Sequence, residues 1–518
     1  MRQRNGKDWS FMRRSCALLL TGAWLLALAG CSTIPKESDR KPDSSVPPAV
    51  SSSGEPQKLT ISYSNADPIN PYRAASRVNL DLTPLLYEGL TVLDAELTPQ
   101  LALAASLDNT NPLAPVAVLR SDAVFSDGSP VTAADVAGSF ALAKQAAVFQ
   151  PLLENVQAAR AADDKTIVFT LRQADVQFAA CLSFPVLRAS DATQKSADVP
   201  LGSGQYVFTA DGTAAKLTPN PYQPAPAANT TIYLQHLSTG DAMLSGLENG
   251  SLSYFFSDLS GGEIPRTSNA SLNAPMNYLV FLGINHRRGT LSEPLVRQGL
   301  SAAIGRSTLC KEAFAGYARP ATTPFHPNWS RFSELSGFSD TENIESAVAQ
   351  LEQAGYNTKS GSSQNKKTLS LELLINQDNS FRTAAAEVLR RQLEQVGVTL
   401  TVTALPFADV QNRLNKGQFD LYLGEIRLSA DLSLRPFFSG SGSAGAGGLS
   451  STASADAYTD FLSGAKTPAQ FTELFVSDVP FIPLCWRDGM AAYNRSMNGV
   501  TPSVFNVYAG IGGWVLTR

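Results

Sequence analysis

The chain has 518 residues, of which 43% are hydrophobic, 8% aromatic and 17% charged. That length and apolar content support a large core, divided over about two or three domains. Lys and Arg total 41 against 45 Asp and Glu, and no basic stripe interrupts that balance, which argues against a nucleic-acid partner.

Arg2, Arg4, Lys7, Arg13 and Arg14 open the chain, and the apolar run 16–29 follows. That run is too short to span a bilayer comfortably. A charged start, a short apolar centre and a small-residue exit describe a secretory signal peptide over 1–30. Arg13-Arg14 raises a twin-arginine export signal, but the flanking residues fit it poorly, so ordinary secretion is expected. The exit Leu28-Ala29-Gly30-Cys31 resembles the lipobox of bacterial lipoproteins. That resemblance implies cleavage before Cys31 and a diacylglycerol on its sulfur. Each acyl methylene buried in the membrane adds roughly 0.8 kcal/mol to the anchor. Cleavage removes five basic residues and Asp8, so 41 and 45 become 36 and 44 and the net charge becomes −8. The stretch 32–57 is rich in Ser, Pro and charge and poor in large apolar residues. It cannot bury enough surface to fold, so 31–57 is expected to be a flexible tether. No second long apolar run occurs.

The folded body is expected from Lys58, where 58–63 alternates as a strand. Further strands are expected at 116–119 and 166–171. Thr132 and Asp135 form a capping box before a helix over 133–147. Asp163-Asp164 has the composition of a turn. The dense apolar run 278–284 reads as a buried strand. Leu295, Val296, Leu300, Ala303 and Ile304 share a helical face after Ser292-Glu293-Pro294, and the helix should begin near that Pro. The clearest unit follows. Leu369, Leu371, Leu373 and Ile375 alternate within 368–375. Ala385, Val388, Leu389, Leu393 and Val396 fall at helical spacing over 381–396, and Gly397 suits the cap. Val398, Leu400 and Val402 resume the alternation. Strand, helix and strand in this order make a βαβ crossover with parallel strands. Strands are expected again at 419–423 and 479–483, and the Gly/Ser-rich 440–448 reads as a loop. The fold class is mixed α/β without an internal repeat.

No HExxH, no phosphate loop ending in Gly-Lys-Ser/Thr and no GxSxG elbow is found. His236, His286 and His326 make no close pair at metal-ligand spacing, and no cofactor is called for. Cys181, Cys310 and Cys485 remain after Cys16 and Cys31 are set aside. They allow at most one disulfide with one thiol left over, but they lie far apart among apolar neighbours and read as small buried hydrophobes.

Leu85-Leu86-Tyr87-Glu88-Gly89-Leu90 looks like the "LYEGL" stretch of the bacterial extracellular solute-binding proteins, family 5. The run from Phe125 through Asp127-Gly128 to Val136 is similar to "FsDGtPvtAeDV". Gly202-Ser203-Gly204-Gln205-Tyr206 resembles "GTGPY", and the run Val296 to Arg306 resembles "vRqAlsyAIDR". Ala354-Gly355-Tyr356 looks like the "AGY" that ends a helix, and Val479-Pro480-Phe481-Ile482-Pro483-Leu484 resembles "iPviPL". On physical grounds most of these are structural: Asp127-Gly128 is a turn signal, and Tyr87 and Phe125 suit a core.

The resemblance implies a two-lobed periplasmic-binding-protein clamshell, type II-like, with an extra domain inserted in the N-terminal lobe. The expected boundaries are 58–90, 200–285 and 496–518 for the N-terminal lobe, 91–199 for the inserted domain and 286–495 for the C-terminal α/β lobe. It implies a receptor, not an enzyme: a small solute, a short peptide first, passes to an ABC permease and ATPase complex. Placement would be extracytoplasmic, at the cell surface or in the periplasm, through the lipid anchor, and as a monomer. A nickel chelate or another small polar solute is the alternative ligand. A secreted enzyme or surface interaction protein reusing the fold is the alternative class.

Peptide-binding members of the family carry "WxxDYxDP" after a strand of the second lobe, and its first Asp grips the peptide amine. Here Glu425 stands at the Trp, Leu428 at that Asp, and Asp431 aligns with the second Asp. An amine would then fall to Asp431 or Glu425, or the ligand is no peptide; Asp431 could equally cap a turn. Arg427 suits a ligand carboxylate or a solvated rim. On the opposite lobe, the loop 65–79 offers Asn65, Asp67, Asn70, Tyr72, Arg77 and Asn79.

Overall fold

The computed structural model describes residues 58–193, 199–212, 214–225, 228–358, 366–440, 442 and 444–517. The signal peptide, Cys31 and the tether therefore lie outside the described residues. Among the described residues no helix is long and apolar enough to cross a membrane.

Thr60–Tyr63 forms the first strand and pairs in parallel with Ile232–His236. Ala214–Pro219 and Tyr206–Asp211 complete a four-stranded sheet. Between leaving this sheet and returning to it, the chain builds a separate core over 90–186. There Ala104–Asp108, Val116–Leu119, Thr166–Leu171 and Val156–Ala161 form an antiparallel sheet in that spatial order. The helix Ala133–Ala143 lies on it, with the expected box closed by Thr132 and Asp135. It ends four residues earlier than the 147 expected from the sequence. Lys144 closes the helix, and the following turns bring Phe149 to Tyr72, ring centroids 5.4 Å apart. Asp163 accepts from the N–H groups of Lys165 and Thr166 and makes the expected turn. Gly128 takes φ +84° in the Asp127-Gly128 turn, and an added Cβ would lie 2.4 Å from the Tyr222 hydroxyl.

The second lobe is organised on a seven-stranded sheet. Its βαβ unit forms as expected. Leu369–Asn376 and Val398–Leu405 run parallel in continuous register, joined by the helix Ser380–Gln395. Asn379 caps that helix by accepting from the Arg382 N–H, and Gly397 at φ +83° lets the chain turn out of it. The helix buries Phe381, Ala385, Val388, Leu389 and Leu393 against the sheet, and each large apolar side chain contributes roughly 1.5–3 kcal/mol. The helix Pro294–Ala302 starts on its Pro as expected and buries Val296 and Leu300.

Two strands are longer than the sequence pattern indicates. Ala270–Ile284 extends the expected 278–284, and Phe481–Tyr493 replaces 479–483. Val479 instead terminates the preceding helix at φ +49°. Likewise 419–423 is replaced by Leu421–Arg427, because backbone pairing with Tyr278–Ile284 continues to Arg427. The two long strands pair antiparallel, and their register shifts between Ala274 and Tyr278. Pro275 sits in that gap and has no N–H to donate, which breaks the ladder and favours a bulge. On the far side of the bulge from Tyr278, Ala270–Ala274 pairs with Gly489–Tyr493, beside Tyr254–Ser257. Gly489 lies opposite: a Cβ there would come within 2.7 Å of the Ser257 carbonyl and 3.0 Å of the Met276 sulfur. The lobes thus meet at an interrupted ladder.

Candidate binding site at the lobe junction

Charged side chains collect around Tyr278, the first paired residue beyond the bulge. The Arg487 guanidinium lies 4.6 Å from its ring centroid and that of Arg427 lies 6.0 Å away. Arg487, 1% exposed, pairs with Glu425 at 2.6 Å and donates to the Asp258 carbonyl. Arg382, one turn into the capped helix, approaches the same Glu425 carboxylate at 3.5 Å. From the first-lobe side, the short helix Arg77–Leu80 supplies Arg77. It pairs with Asp81 at 2.6 Å, lies 3.9 Å from Asp258 and stacks over Phe256 at 5.4 Å. Burial opposes ionisation of Asp258, but hydrogen bonds from Ser260 and the charges of Arg77 and Arg487 hold it below the usual carboxylate range.

These side chains satisfy one another unequally. Arg77, Arg382, Arg427 and Arg487 stand against Asp81, Asp258 and Glu425, an excess of one positive charge. The excess falls on Arg427, which is solvent-exposed and has no carboxylate within ion-pair distance among the described residues. Such an arrangement attracts an anionic group, since a guanidinium grips a carboxylate or phosphate through paired N–H bonds.

The residues singled out in the sequence separate into two groups. Glu425, Arg427 and Arg77 come together at the junction. Asp431, only 2% exposed, stands apart in a second cluster. It accepts from the Ser429 hydroxyl and from the Ser433 N–H at 3.4 Å, and the Cys181 thiol lies 3.7 Å away. Burial first, and then the neighbouring Asp175, push its carboxyl up to about 6. Cys181, Cys310 and Cys485 are buried, as read from the sequence, and all three are free thiols, so the disulfide left open there is not formed.

In the loop 65–79 most polar side chains hold the backbone. The Asn79 side chain accepts from the Ser64 N–H at 2.8 Å and donates to the Ser64 and Asp67 carbonyls at 2.9 and 2.8 Å. Asp67 accepts from the N–H groups of Ala75 and Ser76. Asn65 is exposed, and its own N–H donates to His236 Nδ1 at 3.1 Å.

Sequence reasoning missed Arg487, Arg382, Asp258 and Asp81. A signal existed for Arg487: an Arg inside the apolar run 481–493 needs a buried counter-charge.

A family profile described as "Bacterial extracellular solute-binding proteins, family 5 Middle" matches residues 96–445. The oligopeptide-binding protein AppA of Bacillus subtilis is 23% identical over 454 residues, covering 79% of this chain and 79% of that protein. The glutathione-binding protein GsiB of Escherichia coli is 26% identical over 473 residues, covering 84% and 90%. The crystal structure of NikZ from Campylobacter jejuni in complex with Ni(L-His) superposes with a TM-score of 0.60 at 20% identity, covering 89% of this chain and 99% of that one.

Proposed function

The chain belongs to the bacterial extracellular solute-binding proteins, family 5, and from that premise we propose that it is the lipid-anchored receptor that captures short, carboxylate-bearing peptides for an ABC importer. Membership makes it an extracytoplasmic substrate-binding protein of such an importer. The observation that carries the ligand class is the charge excess at the lobe junction, where Arg427 lies 6.0 Å from the Tyr278 ring centroid with no carboxylate within ion-pair distance among the described residues. A peptide C-terminus or a glutathione carboxylate would complete that pairing. Names of the relatives point the same way, to oligopeptides and glutathione. A nickel–amino-acid chelate would present the same carboxylate to Arg427, so the chelate is the second reading, prompted by NikZ. Either ligand would leave for the permease unchanged.

Native mass spectrometry of protein purified without denaturation should reveal the solute it carries. Calorimetry with glutathione and with di- to pentapeptides then tests Arg427. Loss of a charge-assisted hydrogen bond costs about 1.5–3 kcal/mol, so Arg427→Gln should weaken free-acid peptides by roughly ten- to a hundredfold. Peptides amidated at the C-terminus should lose little. Equal losses for both forms would show that Arg427 does not hold the C-terminal carboxylate, and a carried nickel chelate would replace the peptide reading.

The anchor has its own test. With a fatty-acid analogue supplied during growth, the wild type should label and partition into detergent, and Cys31→Ser should do neither. A labelled Cys31→Ser protein would show that the lipid sits elsewhere.

A further inference from the structure

The unit 90–186 is carried by the first lobe. Its Val186 N–H donates to the Glu88 carbonyl at 2.8 Å, and Tyr72 donates its hydroxyl to the Pro185 carbonyl. The same unit also meets the second lobe, away from the bulge. Asp175, 1% exposed, takes Arg435 at 2.8 Å. The Cys181 thiol reaches Asp431 at 3.7 Å. Two backbone bonds cross as well, Val176 N–H to the Leu462 carbonyl and Ser330 N–H to the Glu96 carbonyl, each at 2.9 Å. Apolar contact across this seam comprises Ala430 against the 90–186 core and a cluster in which Leu97 meets Leu432, with Trp329 packed against it. A cavity of about 290 Å³ stays open along it, lined by Asn155 and Arg172 on one side and by Arg435, Phe438 and Tyr458 on the other. Polar contacts over an unfilled groove make an interface that can part, unlike a large apolar one.

We propose that Arg435 latches the closed clamshell: held between Asp175 of the 90–186 unit and Asp431 of its own lobe, it sets how long a solute stays bound without touching that solute. Charge accounting gives the reason. Arg435 lies 2.8 Å from Asp175 and 3.9 Å from Asp431, and both carboxylates are buried. With the lobes apart, Asp175 and Arg435 return to water. With the lobes together and Arg435 removed, two buried carboxylates face each other without a cation, and that uncompensated charge is the costly state. Loss of Arg435 therefore penalises the closed form and spares the open one. Loss of Asp175 together with Arg435 removes both the cation and one of the anions, so the double variant should close better than the single one.

The effect on retention rests on the receptor reading; the effect on closure does not. Small-angle scattering and single-molecule energy transfer between labels on the two lobes should show Arg435→Gln shifted toward the open, larger form. Dissociation of the carried solute should quicken by about tenfold or more, as a smaller closed fraction lowers apparent affinity in proportion. Arg435→Lys should recover part of the effect, and Asp175→Asn/Arg435→Gln should recover more than Arg435→Gln alone. If Arg435→Gln folds poorly, Asp175→Asn probes the same contact from the other side. An unchanged radius and energy-transfer distribution, with only a lower melting temperature, would overturn the latch and leave Arg435 a structural residue. If no solute is carried or bound, the receptor reading falls, and the scattering result still decides the latch.

Discussion

Arg487→Gln should destabilise the protein by about 3–5 kcal/mol, the cost of leaving a buried ion-pair partner uncompensated. Arg487 is 1% exposed, holds Glu425 at 2.6 Å and donates to the Asp258 carbonyl. The guanidinium therefore ties the strand Phe481–Tyr493 to Leu421–Arg427 and to the segment after Tyr254–Ser257. Gln replaces the guanidinium with a neutral amide, so the only positive charge left for Glu425 is the 3.5 Å approach of Arg382. A lower urea midpoint at an unchanged slope would report the loss as stability. Arg487→Met/Glu425→Leu should recover much of it, because an apolar pair of similar volume can replace a buried ion pair at little cost. A single-variant loss below about 1 kcal/mol would mean that water reaches Glu425 and screens it, as at an exposed pair.

The parts of the fold legible in the sequence are those where a short-range rule applies. Alternation over 369–375 and 398–402 and helical spacing over 381–396 located a βαβ unit whose parallel strands the structure bears out. Thr132 and Asp135 placed a helix start to the residue. Local pattern failed on the two long strands, where Pro275, Asn277, Arg487 and Asp488 break both alternation and apolarity. Those residues stand where the lobes meet, and their conformation is imposed by pairing with distant strands.

The same division holds for the site. Glu425 and Arg427 share one strand end, so their proximity was readable, and Arg77 joined them from the loop after the first strand. Asp431 seemed part of the same group, being four residues beyond Arg427. The chain turns over Ser429–Leu432, where the Leu432 N–H donates to the Ser429 carbonyl at 2.9 Å and Leu432 takes φ +53°, and this carries Asp431 into contact with Cys181 instead. That contact spans 250 residues of sequence, and Arg435 to Asp175 spans 260. No spacing rule reaches that far, so the seam was invisible before the fold was known.

The seam should also respond to pH, in a direction that Asp431 determines. Its carboxyl faces Cys181 and Asp175 on the 90–186 unit and Arg435, Tyr458, Ser429 and Ser433 on its own lobe. The value of about 6 in the folded protein exceeds the 3.8 of an unperturbed Asp, with burial the main cause. The folded form therefore binds more protons than the unfolded form between those values. The resulting stabilisation is complete below about pH 4 and is lost as pH rises through 6. At one pKa unit per 1.36 kcal/mol, an ionised Asp431 costs up to about 3 kcal/mol at neutral pH. Asn at this position keeps a carbonyl oxygen for Ser429 and Ser433 and carries no charge. At pH 7.5 Asp431→Asn should accordingly be the more stable protein, and its advantage should shrink steadily as the buffer is taken toward pH 4.5. Urea melts of both proteins across that range measure the gap directly. A gap that stays constant with pH would show that Asp431 does not titrate there, and a gap that widens on acidification would mean that the Arg435 cation, not burial, governs its ionisation.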